Sequence, residues 1–410
     1  MNFLFRKKKM NFLFRKIKIL LFVGLTFFIY SLYNQLYIND YNIIQLIDCY
    51  KLKYNKNYIY NNNINKNYYI KQIYNRPWAA LYTSTIYFFN ISLGVFVFLT
   101  IQYISKSKWS IILINIMEGI IKFLPFGSIL ILLLLILNNI GIINFFYKMN
   151  DSILNINYYN KHNFIFNKTY IYYIFSYFLR SYIYIYILNF FVKKILNISK
   201  KKTNKKIYYY SVLFIIFNSL YTIYIGWDWI MFLNTNFIST IFNWYLLGSN
   251  LVIGISIITL FYFFLFRKKI FSFFKRKKLY DISKYIFTTS LLWSYLWFSQ
   301  FLLIWYSNIP EECFFLTNKA NKYKYLEIII IIINFIIPFL SLIKKNNKMN
   351  KKILILICIN LIIGHYLNLY NLIMPESVGI FSGYEEISSF LFVGSIFILN
   401  TIKYYNKNLI

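Results

Sequence analysis

Ten stretches of mainly apolar residues follow one another along the chain, and each is long enough for a helix to cross a lipid bilayer. Each holds about 17 or more mostly apolar residues, which at about 1.5 Å of rise per residue span the hydrocarbon layer, with several helices tilted. The stretches cover residues 17–37, 79–104, 126–146, 169–192, 207–226, 236–266, 285–307, 325–343, 353–373 and 387–402. The sequence therefore predicts an all-α polytopic membrane protein with about ten transmembrane helices.

The composition excludes a soluble protein built around a single core. Hydrophobic residues make up 59% of the 410 residues and aromatic residues 23%, which leaves too little polar surface to cover such a core. A formal net charge of +33 is typical of a nucleic-acid-binding protein only where the basic residues share one surface. Here they are distributed among the connections between the apolar stretches.

The distribution of basic residues predicts the topology. Of the 45 Lys and Arg residues, 32 lie in the connections on the same side as the N-terminus, 12 lie in the opposite connections, and Arg180 lies inside a stretch. The positive-inside rule then places both termini in the cytoplasm. The chain divides into a basic N-terminal segment with the first transmembrane helix (1–37), an extracytoplasmic loop (38–78), a transmembrane core (79–402) and a cytoplasmic tail (403–410).

Three titratable or charged groups inside the membrane or at its edge are candidate functional residues. Arg180 is expected in the middle of the fourth span, where a cation needs a carboxylate, carbonyl groups or water. His365, in the ninth span, is suited to proton transfer or to a hydrogen bond with a quinone oxygen. Asp228 lies between two tryptophans at the end of the fifth span. A structural ion pair for Arg180 and a structural role for His365 remain open alternatives.

Further candidates lie at the ends of helices. Gln300 shares one face of the seventh span with two tryptophans, and Pro310 is expected to end that helix and leave Glu311 and Glu312 at the water boundary. Glu118 is expected on an amphipathic interfacial helix over residues 109–124, where it is either a proton entry or paired locally with Lys122.

The cysteines and histidines predict no metal or haem site within this chain. Cys49, Cys313 and Cys358 have no CxxC or CxxCH spacing, and the two histidines, His162 and His365, lie in a loop and a span. No nucleotide-binding glycine motif is present. Any metal centre that works with this chain is therefore expected in a partner subunit.

An ordered set of motifs resembles a known family, the second NrfD-like, or polysulfide-reductase-type, integral membrane subunit of alternative complex III, a bacterial quinol:cytochrome c oxidoreductase. The resemblance covers about residues 76–400. The matching motifs are Arg76-Pro77-Trp78-Ala79-Ala80-Leu81-Tyr82, Trp109-Ser110, Met117-Glu118-Gly119, Trp227-Asp228-Trp229-Ile230-Met231, Tyr295-Leu296-Trp297-Phe298-Ser299-Gln300-Phe301, Asn308-Ile309-Pro310-Glu311-Glu312, Gly364-His365-Tyr366 and Met374-Pro375.

The resemblance implies NrfD-like helical bundles in a bacterial inner membrane and a role in quinone-linked electron transfer or proton translocation. The partners it implies are a homologous NrfD-like subunit, an iron–sulfur protein and c-type cytochromes. Haem c and iron–sulfur clusters then belong to those partners, this chain binds no cofactor directly, and quinone or quinol is a candidate ligand. It also implies functional roles for Asp228, Glu311, Glu312, Gln300, Glu118 and His365. One position departs from the pattern: an acid is expected three residues after the histidine, and this chain has Asn368, an amide that cannot exchange a proton as a carboxylate does.

Two other classes of function remain open on the sequence. A secondary transporter predicts internal repeats and helices broken near the middle of the membrane. A purely structural subunit predicts that the polar groups only hold helices together.

Overall fold

A computed structural model describes residues 2–36, 62–139, 164–201, 204–233, 237, 239–265, 276–377 and 383–407. Within these ranges all regular structure is helical. A 3₁₀ turn covers Met231–Leu233 and a π-helical turn covers Ile332–Ile336. The α-helices are α1 Asn2–Leu36, α2 Asn62–Ile104, α3 Ile111–Ile121, α4 Leu124–Asn139, α5 Phe164–Lys201, α6 Asn204–Trp229, α7 Phe242–Leu265, α8 Arg276–Ser307, α9 Pro310–Ile331, α10 Ile337–Ile343, α11 Lys345–Lys348, α12 Lys351–Ser377 and α13 Tyr384–Lys407.

Eight helical segments of the described chain are long and apolar enough to cross a membrane, which confirms a helical, multi-pass membrane protein. They are Phe14–Tyr33, Asn75–Ile104, Ile111–Asn138, Lys205–Trp229, Phe242–Phe264, Tyr323–Ile343, Lys351–Pro375 and Tyr384–Tyr405. The other two predicted spans, 169–192 and 285–307, lie within α5 and α8. Both helices are rich in Tyr, Trp, Ser or Thr, whose polar atoms lower their hydropathy.

Several predicted boundaries differ from the structure: α7 begins at Phe242 rather than at 236, and α9 begins at Pro310 rather than at 325. Two further differences bear on the candidate site. Residues 62–78, expected to belong to a loop, form the first turns of α2, with Pro77 inside the helix. The third span begins at Ile111 rather than at 126, because only two residues separate α3 from α4. The predicted interfacial helix is therefore buried over residues 116–121, where Glu118 finds hydroxyl partners inside the bundle.

Helix α2 is the central helix of the bundle and packs against α4, α6, α7, α12 and α13. Its closest approach is to α7, where two glycines meet. A Cβ atom on Gly254 would lie 2.8 Å from the backbone nitrogen of Val95, and one on Gly94 would collide with the carbonyl oxygen of Asn250. Small residues at a crossing allow two backbones to approach closely, which is how membrane helices gain packing energy without a hydrophobic driving force.

The first and last helices also belong to the bundle. Helix α1 packs along α13, where the rings of Phe28 and Phe392 stack with centroids 6.2 Å apart. Gly24 permits this contact, because a Cβ atom there would lie 2.8 Å from the backbone nitrogen of Phe392. Helix α12 packs against α2, α7 and α9, and this arrangement encloses the polar groups described next.

Candidate functional site

His365 lies in the interior of the bundle, on α12. Its side chain is almost fully buried, with 1% of the residue surface exposed. Nδ1 lies 2.9 Å from Oγ of Ser249 on α7, and the ring of Trp293 on α8 packs edge-to-face against the imidazole with centroids 5.1 Å apart. In the part of the chain that the structure describes, Nε2 has no hydrogen-bond partner. The serine therefore orients the ring and leaves one nitrogen available.

Three polar contacts connect α7 and α12, and we call this row of contacts the α7–α12 seam. Tyr245 donates its hydroxyl to Oδ1 of Asn368 at 2.5 Å, Ser249 contacts His365, and Oγ1 of Thr259 lies 2.8 Å from Sγ of Cys358. On α12 the three members are seven and three residues apart, so they share one helical face. Hydrogen bonds of this kind hold membrane helices together.

Asn368 occupies the position at which the family resemblance predicts an acid. Its side-chain oxygen accepts the hydrogen bond from Tyr245, so the amide supplies an acceptor but no exchangeable carboxyl proton. Both side chains are buried. The seam is therefore composed of neutral groups, and His365 is its only member that titrates near neutral pH in its unperturbed state.

A second buried amide lies beside α12. Asn334, in the π-helical turn, is fully buried, and within the described residues neither its oxygen nor its nitrogen has a hydrogen-bond partner. Gly364 allows this contact, because a Cβ atom there would collide with Oδ1 of Asn334. Buried polar atoms are normally paired, and those that are not paired within a protein commonly bind ordered water. Asn334 and His365 thus both present hydrogen-bonding atoms that can bind water or a small polar ligand.

Arg180 and Asp228 form an ion pair between α5 and α6. Nε and Nη2 of the arginine donate to the two carboxylate oxygens at 2.9 and 3.0 Å. Asp228 lies in the last turn of α6, so its contact with Arg180, which lies near the middle of the 38-residue α5, is level with that end of α6. The arginine side chain is 37% exposed and the aspartate 13%. This finding corresponds to the ion-pair alternative for Arg180.

A second arginine pairs with two acids at the same predicted extracytoplasmic end. Nη2 of Arg76, on α2, donates to Oε1 of Glu386 at 2.8 Å, and its Nε lies 3.7 Å from Oε2 of Glu385, both on α13. The backbone amide of Gly383 donates to the other oxygen of Glu386 at 2.8 Å. This contact was not predicted, although an arginine and a pair of acids in connections on the same side of the membrane are a usable signal. We call the contacts of Arg76 with Glu385 and Glu386, together with the Arg180–Asp228 pair, the acidic end.

Glu118 is buried at the opposite end of the bundle, among hydroxyl groups from three helices. Tyr404 on α13 donates to Oε2 at 3.0 Å, and Ser199 on α5 and Tyr103 on α2 donate to Oε1. The ammonium group of Lys122 lies 5.5 Å from the centroid of the Tyr404 ring. The carboxylate therefore connects α3 to α2, α5 and α13, whereas the only partner predicted for it was Lys122 on its own helix.

The remaining predicted site residues lie around the junction of α8 and α9. Gln300 is half-buried on α8. Helix α8 ends at Ser307, Asn308 adopts a left-handed conformation with φ of 48°, and Pro310 begins α9 as its first residue. The predicted end of the helix before Pro310 is confirmed, and Pro310 in addition begins the next helix, because its fixed φ suits a first turn. Glu311 and Glu312 follow Pro310 in the first turn of α9.

Among the predicted residues whose side chains the structure describes, Arg180 and Asp228 bond to each other. The hydrogen bonds of His365 and of Glu118 reach none of the other predicted residues in the described chain. Searches against known proteins matched no protein-family model and no curated protein. The candidate site is therefore defined by chemistry: a buried histidine with one available nitrogen, in a neutral seam with charged groups toward each end of the bundle.

Proposed function

We propose that this protein is an integral membrane subunit of a respiratory quinol:cytochrome c oxidoreductase of the alternative complex III type. The observation that supports this proposal most directly is the available Nε2 of His365 in the interior of the bundle. In the proposed arrangement the chain crosses a bacterial inner membrane ten times, with both termini in the cytoplasm. A homologous NrfD-like subunit, an iron–sulfur protein and c-type cytochromes are its partners.

The chemistry of the proposed site follows from the two nitrogens of the imidazole. Ser249 bonds to Nδ1 and so fixes the ring, and its hydroxyl serves either ring tautomer as donor or acceptor. Nε2 then forms a hydrogen bond with a quinone oxygen or with water. A quinol supplies two electrons and two protons when it is oxidised. The electrons pass to metal centres in the partner subunits, and His365 holds or transfers a proton.

Charged groups on either side of His365 extend the proposed proton path. Asp228 lies at the acidic end beside a partly exposed arginine, so water reaches this carboxylate. Glu118 lies toward the opposite end, in contact with three hydroxyl groups. Because Asn368 exchanges no carboxyl proton, the path between these groups requires water and hydroxyl groups rather than a continuous series of acids.

Affinity capture of the protein from gently solubilised membranes tests the proposal. A reduced-minus-oxidised spectrum of the captured material is expected to contain c-type haem, and a quinol is expected to reduce its cytochromes. Capture of the intact chain without haem in repeated preparations would reject the assignment to this complex.

A secondary transporter is a second candidate, because the helix that follows Pro310 is interrupted inside the bundle. The π-helical turn Ile332–Ile336 precedes Pro338, and it places Asn334 in the interior with neither amide atom paired. Interrupted helices near the middle of a membrane commonly form substrate sites. Uptake of a solute into vesicles that contain the purified protein alone, lost in Asn334→Leu, would favour this candidate.

A further inference from the structure

Two lysine side chains converge on one tyrosine ring at the basic, predicted cytoplasmic end of α8. Nζ of Lys284 lies 4.2 Å from the centroid of the Tyr280 ring, and Nζ of Lys348, on α11, lies 6.0 Å from it. Lys348 also lies 4.7 Å from the centroid of Phe287. Both ammonium groups therefore lie within 6.0 Å of one ring centroid, and rotation of the flexible lysine side chains can bring them into contact with a single phosphate group. We call Lys284 and Lys348 the lysine pair.

The positive charge of the lysine pair has no partner within the described chain. Neither ammonium group has a carboxylate within 4.0 Å among the described residues. Asp281, half-buried on the same helix, forms no ion pair with either lysine within the described part of the chain. Positive charge close by in the sequence comes also from Lys344, Lys345, Lys351 and Lys352. Like charges over one ring repel each other, and an anion between them removes this repulsion.

A second pair of lysines provides an internal comparison. Lys122 and Lys200 lie 5.5 and 5.6 Å from the centroid of the Tyr404 ring. There, however, the tyrosine hydroxyl donates to Glu118, so a carboxylate of the protein lies at the edge of the same ring. The ring of Tyr280 has no equivalent acid bonded to it in the described chain. Of the two arrangements, only the lysine pair lacks a carboxylate of the described chain at its ring, so an external anion would be needed to compensate its charge.

Exposed apolar side chains lie on the helix beside the lysine pair. Leu340 and Ile343 of α10 are 62% and 52% exposed, and α10 packs against α8 through stacked rings of Phe287 and Phe339. The lysine pair therefore borders an apolar surface, and this surface belongs to Tyr323–Ile343, a segment long and apolar enough to cross a membrane. A phosphate beside a hydrocarbon chain is the chemistry of a phospholipid, and basic residues at membrane boundaries recognise anionic headgroups.

We propose that the lysine pair binds the phosphate of an anionic phospholipid, whose acyl chain lies along Leu340 and Ile343. The two ammonium groups, on different helices, hold the phosphate over the Tyr280 ring. The bound lipid thereby connects α8 to α11 at the membrane boundary. This site is separate from His365 and does not depend on the proposed respiratory function.

Native mass spectrometry of the purified full chain in detergent tests this site. Phosphatidylglycerol and phosphatidylcholine with the same acyl chains are added separately, and their retention is measured as a function of concentration. Wild type is expected to prefer phosphatidylglycerol. Lys284→Gln and Lys348→Gln are each expected to reduce this preference about fivefold, and the double variant about twentyfold, because each lysine near a membrane surface contributes about this factor.

Two further double variants distinguish lipid binding at the lysine pair from a general attraction of anionic lipid to the basic surface. Lys344→Gln with Lys352→Gln removes the same charge from two neighbouring exposed lysines and is expected to leave most of the preference unchanged. Lys284→Arg with Lys348→Arg retains the charge and is expected to retain the lipid. Equal losses in the two glutamine double variants would overturn the proposal, as would unchanged lipid preference in the Lys284→Gln, Lys348→Gln protein.

Inorganic phosphate distinguishes a lipid from a free anion. If the acyl chain contributes, millimolar phosphate displaces little phosphatidylglycerol from the wild-type chain. Complete displacement by inorganic phosphate, with no dependence on acyl chains, would overturn the lipid assignment. Thermal unfolding of each variant shows whether the variant is still folded, so that lipid loss caused by unfolding is recognised. If the glutamine variants unfold, the arginine double variant tests the site in a folded protein.

Discussion

The acidic end and the α7–α12 seam position polar groups in opposite ways. At the acidic end each carboxylate group lies against an arginine from another helix, so charge is compensated by charge. In the seam the contacts join neutral groups, and His365 retains a nitrogen without a partner in the described chain. The buried pair of Arg76 and Glu386 resists exchange because breaking it leaves a buried charge, whereas the more exposed pair of Arg180 and Asp228 is accessible to water. A neutral imidazole with an open nitrogen incurs no such penalty and can exchange ligands or protons.

The largest expected effect is at Arg76, whose removal leaves Glu385 and Glu386 without their cation. Because these side chains are only 12% and 8% exposed, Arg76→Gln is expected to destabilise the protein by about 3–5 kcal/mol, measured as thermal unfolding in detergent. Arg180→Gln is the control, with an expected loss of about 1 kcal/mol because solvent screens its partly exposed pair. Equal losses of stability in the two variants would mean that burial does not make the Arg76 contact stronger than the Arg180 contact.

The next effect concerns His365 and turnover. His365→Phe retains a ring beside Trp293 but removes both nitrogens, so quinol-dependent cytochrome c reduction by the captured complex is expected to fall about 100-fold. The amount of assembled complex is expected to remain near that of wild type. A variant that assembles and turns over normally would assign His365 a structural role only.

Asp228 tests whether a carboxylate at the acidic end also exchanges protons. Asp228→Asn retains a hydrogen-bonding group for Arg180 but loses the charge, and turnover is expected to fall about tenfold if this carboxylate belongs to the proton path. The measurement is the same cytochrome c assay, normalised to assembled complex. Wild-type turnover with normal assembly would remove Asp228 from the path and leave its contact with Arg180 as a purely structural pair.

The smallest effect is expected at the part of the seam that contains no histidine. Thr259→Val removes the contact with Cys358, and hydrogen bonds between membrane helices contribute about 0.6 kcal/mol on average. Stability is therefore expected to decrease by about that amount without a change in turnover. A large loss of turnover in this variant would mean that proton transfer uses the whole seam rather than His365.

Local sequence patterns predicted the helices better than their ends. Hydropathy located each apolar stretch, because an uninterrupted apolar run has few alternatives to a membrane helix. It did not locate the start of α2 at Asn62, since the polar turns that continue a helix into water carry no apolar signal. The end of α8 before Pro310 was predicted correctly, but the start of α9 at Pro310 was not, because proline can both follow one helix and begin the next.

The site was predicted as separate residues rather than as contacts. Arg180 was identified by the cost of a charge inside a membrane, His365 as a titratable group within a span, and Asp228 by its two flanking tryptophans. Their partners could not be derived, because periodicity relates residues a few positions apart, whereas Arg76 and Glu386 are 310 residues apart and Ser249 and His365 are 116 apart. The departure at Asn368 was visible in the sequence, but its donor, Tyr245, required the packing of α7 against α12.

Nitrogen NMR of the ¹⁵N-histidine-labelled protein in bilayers tests most directly the claim that His365 exchanges with its surroundings. The chain has two histidines, so a His162→Gln variant leaves the imidazole of His365 as the only labelled ring. We predict magnetisation transfer from water to its Nε2, reduced when a quinone analogue is added. A ring nitrogen that receives no transfer from water and does not respond to the analogue would contradict the account and leave His365 as a structural residue of the seam.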